Sequence, residues 1–142
     1  MDEVAEKNGF VVAYPEQSAD TISTRCFRWY EPAHQARDAG EPKELADAAG
    51  AIASAHGVDP ERIYVAGLSA GAAMSVVLGA TYPDRFTAIG VVAGVEFKAG
   101  QTHRYQCPPD GTGGHVAPPG RLRRRWRGRD GARALLLLSL RA

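Results

Sequence analysis

Apolar positions in this chain fall into short, regularly spaced blocks over the first two-thirds and then lose that order. Phe10-Val11-Val12-Ala13-Tyr14 is continuously apolar and closed by Pro15, a pattern that suits a strand covered on both faces of a parallel sheet. Ahead of it, residues 2–8 predict the end of an amphipathic helix, with Gly9 placed for a left-handed cap. Pro42, at a first helical turn, predicts a helix through about His56. Glu44 and Asp47 lie near its positive end, Leu45, Ala48, Ala49 and Ile52 form its apolar stripe, and Gly57 ends it. Ile63 to Ala66 predicts a second strand, followed by a helix to about Thr81 that Tyr82-Pro83-Asp84 stops. Ala88 to Gly94 predicts a third buried strand. Apolar strands separated by helices predict parallel βαβ units with right-handed crossovers.

The stretch between the first strand and the helix at Pro42 is polar and irregular, punctuated by Pro15, Pro32 and Gly40. Cys26-Phe27-Arg28-Trp29-Tyr30 sets three aromatics in that loop. Packing on a neighbouring helix is the favoured reading; the alternative is an exposed platform over a cleft.

Charge divides the chain more sharply than its net value of +1 suggests. Residues 1–97 hold 7 Lys and Arg against 14 Asp and Glu, whereas residues 98–142 hold 10 against 2. The second segment has paired prolines at 108–109 and 118–119, nine arginines, and no lysine after Lys98. A nucleic-acid patch is free to mix both basic residues. Arginine, glycine and proline without lysine is the composition that out-of-frame translation of a GC-rich gene produces. The division expected is therefore a partial α/β core over 1–97 and a low-order, possibly frameshifted basic tail over 98–142. A basic arm for nucleic acid or an anionic surface ranks below it, and no nucleic-acid partner is expected. Leu135 to Leu138 is far too short to span a membrane, and none is expected to be involved. Met1 to Lys7 is acidic and lacks the basic and apolar regions of a signal peptide. Cys26 and Cys107 have no metal-like spacing, so no metal site is implied, and their disulfide state stays open.

The chemistry gathers at Arg62-Ile63-Tyr64-Val65-Ala66-Gly67-Leu68-Ser69-Ala70-Gly71, an apolar strand running into Gly-x-Ser-x-Gly, and Ala72 to Leu78 continues it as a good helix former. Strand, sharp turn and helix are the context of a nucleophile elbow, in which Gly67 and Gly71 flank a strained Ser69. The hydroxyl of Ser69 then projects above the sheet at the carboxyl end of its strand, and the Ala70 N–H points where an oxyanion would form. A glycine-rich turn with an incidental serine is the rival explanation, disfavoured by the matching elements on both sides.

The run from Phe10 to Gly94 resembles the polyhydroxybutyrate depolymerase, feruloyl esterase and acetylxylan esterase group of α/β-hydrolases. The resemblance rests on Gly9 to Gln17, Cys26 to Tyr30, Gln35 to Pro42, Val58 to Val65, Gly67 to Met74 and Ala80 to Phe86, six pieces in order. Ala72 departs from the glycine the group often carries. The resemblance implies a fragment of an α/β-hydrolase parallel sheet, about three central strands with flanking helices. It also implies a secreted, cofactor-free enzyme of polyester or plant cell-wall esters, with Ser69 as nucleophile and Ala70 as one oxyanion donor.

The acid and base of the triad, in chain order Ser, Asp, His, are not identifiable in the sequence. His34 and His56 precede the serine and read as surface residues near helix ends; His103 follows the third strand too closely. Asp110 and His115 sit five positions apart with no strand between them and read as decoys, and Asp84 reads as a solvated turn residue. An upstream His-Gly loop carrying the second oxyanion donor, and an upstream partner for Cys26, are expected to precede Met1. The expected outcome is an esterase by descent that is weak or inactive as written. Its rivals are a non-catalytic polymer- or carbohydrate-binding remnant using Phe27, Trp29 and Tyr30, and an unstable fragment.

Overall fold

A computed structural model describes residues 1–18, 20 and 25–99, together with the main chain of 133–139. Within them the order is α1 (Asp2–Asn8), β1 (Val11–Ala13), a 3-10 turn (Pro32–His34), α2 (Gly40–His56), β2 (Val58–Leu68), α3 (Ala70–Thr81), β3 (Ala88–Val92) and β4 (Arg133–Ser139). The strands form one parallel sheet in the order β1-β4-β2-β3. The mixed α/β class and the parallel pairing agree with the hydrophobic pattern.

Local chemistry sets the element ends. Gly9 (φ 68°) and Gly57 (φ 61°) both take the left-handed conformation, and their N–H groups return to carbonyls of α1 and α2. α2 begins at Gly40, two residues ahead of Pro42. Its buried stripe is Leu45, Ala46, Ala49 and Ala53, whereas Ala48 is exposed. The stripe is rotated because α2 also rests on α3, not on the sheet alone.

β2 alternates, with Ile63, Val65 and Gly67 buried and Tyr64 and Ala66 half-buried, so one face carries the core. α2 and α3 both pack against β2 and touch each other, as two right-handed crossovers running the same way require. Met74 and Leu78 of α3 are fully buried in the same core cluster as Val65, each burial contributing roughly 1.5–3 kcal/mol. β3 departs from expectation. Its end residues Ala88 and Val92 are exposed and the middle three half-buried, because it lies at the edge of the sheet.

The loop follows the favoured reading, and the tail departs from expectation. Phe27 and Trp29 are buried in the core cluster and Tyr30 meets Trp29 edge-on, so the loop aromatics are packing residues and form no exposed platform. No strand is expected after Lys98, yet β4 lies between β1 and β2, pairing Val11 to Ala13 with Leu135 to Leu137 and Ile63 to Gly67 with Leu135 to Ser139. Four consecutive leucines suit a strand flanked on both sides by others. The expected decoys Asp110 and His115, together with His103 and Cys107, lie outside the described residues.

Candidate active site

β2 ends at Leu68 and α3 begins at Ala70, leaving Ser69 alone to reverse the chain. It does so at φ 53°, ψ −118°, backbone angles that an L-residue pays roughly 1–3 kcal/mol to hold. The reversal is possible because Gly67 has no side chain. A Cβ there would lie 2.2 Å from the carbonyl carbon of Gly71 and 2.6 Å from the Ala72 nitrogen, both backbone atoms.

Main-chain bonds fix the turn from both sides. The Ser69 N–H donates to the Val92 carbonyl at 3.0 Å, and the Ser69 carbonyl accepts from the Ala73 N–H at 3.0 Å. The Ser69 amide is thereby committed, while the Ala70 N–H, first in α3, has no acceptor within its own helix. Half-buried Ser69 thus stands beside a helical amide with no acceptor in its own helix, an arrangement with the chemical parts of a nucleophile and one oxyanion donor.

Neither described histidine serves that hydroxyl. His34 is buried, against the expectation of a surface residue, because its Nδ1 accepts the Glu41 N–H at 2.9 Å and so starts α2. His56 is exposed at the end of α2. Asp84 is exposed as expected, but it is bound by Arg37 at 2.6 and 2.9 Å, which holds its carboxyl down at about 2. Among the described residues no group of three or more His, Cys, Asp or Glu could hold a metal ion, and no helix is long and apolar enough to cross a membrane.

The sequence pattern does not reveal a buried polar cluster around Glu41, which is only 4% exposed. Its carboxylate accepts from the Arg28 N–H at 2.8 Å, from Arg28 Nε at 3.0 Å and from the Gln17 amide. The Glu41 bond raises the Arg28 guanidinium above its ordinary value. The signal available was a glutamate immediately before the Pro42 helix start. The cluster ties the aromatic loop to α2 and touches no atom of Ser69.

The sequence profile of the family described as Esterase PHB depolymerase matches residues 1–107. The chain belongs to the PHB depolymerase esterase family. Poly(3-hydroxyalkanoate) depolymerase C of Paucimonas lemoignei is 38% identical over 104 residues, covering 72% of this chain and 25% of the relative. Acetylxylan esterase of Coprinopsis cinerea is 34% identical over 107 residues, 75% of this chain and 28% of the relative. Feruloyl esterase B of Talaromyces funiculosus is 29% identical over 94 residues, 66% and 26% respectively. The chain thus spans about a quarter of the length of these relatives.

Proposed function

We propose that the chain carries the nucleophile of a serine carboxylic-ester hydrolase of the PHB depolymerase and feruloyl esterase type, acting on a polyester or plant cell-wall ester outside the cell. The observation that carries this is Ser69 held at φ 53° between β2 and α3. The Ser69 oxygen attacks the ester carbonyl, and the carbonyl oxygen takes up negative charge beside the Ala70 N–H. Collapse of the tetrahedral adduct breaks the ester C–O bond and releases the alcohol with a proton, leaving the acyl group on Ser69. Water then hydrolyses the acyl-serine to the carboxylic acid and the free hydroxyl. No metal or organic cofactor takes part.

The Ser69 proton needs a base, and neither His34 nor His56 is bonded to it. Asp110 and His115 remain decoys in this reading. A nucleophile without its acid–base partners retains only about 10³–10⁴-fold catalysis over water, so hydrolysis by this chain is weak. The family match continues to residue 107, ten residues into the segment read as the tail. Hydrolysis of p-nitrophenyl acetate by the full chain and by Ser69→Ala tests the reading. A slow rate lost in Ser69→Ala is expected; a rate unchanged by the substitution overturns it.

A further inference from the structure

Ser69 is matched, one strand away, by a second non-glycine residue of left-handed backbone: Ala93, at φ 54°. The two follow a register pair, Leu68 opposite Val92, so each stands just past the carboxyl end of neighbouring parallel strands. Between them runs the bond from the Ser69 N–H to the Val92 carbonyl. That carbonyl lies in the peptide plane joining Val92 to Ala93, and with the chain held on both sides the plane is set jointly by ψ of Val92 and φ of Ala93.

The next residue locks the turn in place. A Cβ on Gly94 would lie 2.7 Å from Val91 Cγ1, 2.8 Å from Ala72 Cβ and 3.1 Å from the Ala72 carbonyl carbon. Gly94 therefore lies directly against the first turn of α3, three residues beyond Ser69. One short turn thus grips the reversal twice, at the Ser69 amide and at Ala72.

We propose that the Val92–Ala93–Gly94 turn positions the nucleophile, with Ala93 the positioning residue that aims the Val92 carbonyl at the Ser69 amide. This rests on the reading of Ser69 as nucleophile. The turn acts through Ser69 and touches no substrate. It takes the Ser69 amide out of reach of an oxyanion and leaves that task to Ala70. A left-handed alanine carries a steric cost that glycine does not, and a β-branched residue carries a larger one.

Amide hydrogen exchange of the full chain, read residue by residue by NMR, tests the proposal without needing turnover. Ala93→Val is expected to speed exchange at Ser69 about tenfold while leaving Val65, in the middle of β2, unchanged. Ala93→Gly, which relieves the strain, is expected to fold and to slow exchange at Ser69 several-fold. Unchanged Ser69 exchange in Ala93→Gly overturns the proposal, as does a parallel change at Ser69 and Val65, which would mark a general effect on stability. Should Ala93→Val fail to fold, Ala93→Gly alone decides between these outcomes. Acetylation of Ser69 by p-nitrophenyl acetate, followed in the same variants, separates the two ideas. If Ser69 is never acetylated in the wild type, the nucleophile reading falls, and the exchange rates still decide whether the turn holds the amide.

Discussion

The backbone of Gly71 occupies the space that a side chain on Gly67 would need, 2.2 Å from where its Cβ would stand. The bare Cα of Gly67 is therefore what lets the Gly71 backbone come so close. The strand can fold back into α3 over a single residue only because position 67 is bare. Gly67→Ala forces backbone apart instead of displacing a side-chain tip. Its cost is expected to exceed about 3 kcal/mol, seen as loss of a cooperative denaturant transition or of soluble protein. A melting temperature within about 1 °C of wild type, where a cost of that size predicts a shift of several degrees, would show that the turn is looser than described.

Arg37 and Asp84 join segments 47 positions apart. The guanidinium bonds both carboxylate oxygens and the Thr81 carbonyl, and it lies 4.7 Å from the Tyr82 ring centre. The Asp84 carboxyl is lowered from 3.8 to about 2, chiefly by its hydrogen bond from Arg37. A carboxyl lowered on folding stabilises the protein above its unfolded value of 3.8, and that contribution is lost as pH falls from there through about 2. NMR titration should place the Asp84 midpoint near the lower figure in the wild type and back toward 3.8 in Arg37→Gln. An unchanged midpoint in the variant would remove Arg37 as the cause.

Much of this architecture is written in the sequence, because a strand buried on both faces and a helix with capping glycines each have a local signature. Gly9 and Gly57 end their helices at the positions their residue type implies. What the sequence hides is long-range. Which alanine is covered, Ala46 and not Ala48, follows from how α2 lies against β2 and α3. His34 is buried because Glu41, seven residues on, offers it a backbone donor. The elbow is legible at Ser69 through its glycines, whereas Ala93 carries no motif and its left-handed backbone emerges only from the fold.

β4 teaches the same lesson from the other side. Leu135 to Leu138 stands in a basic, proline- and glycine-rich context, and its role depends on a place in the sheet that no neighbouring residue announces. That place is between β1 and β2, so removing the strand leaves both without a ladder partner there. A chain ending at residue 132 is expected to lose its cooperative thermal transition, because each exposed ladder also invites aggregation. An unaltered melt after this truncation would show that β4 contributes nothing to the core.

The most direct test of the account is the covalent state of Ser69 itself. With neither described histidine bonded to Ser69, the proposed nucleophile should accept an acetyl group slowly from p-nitrophenyl acetate, whose leaving group departs easily, and release it more slowly still. Mass spectrometry of the acid-quenched full chain, with peptide mapping, is therefore expected to find one acetyl group on the peptide containing Ser69 and none on Ser69→Ala. Absence of acetylation at Ser69, or an equal adduct in Ser69→Ala, would contradict the assignment of the nucleophile.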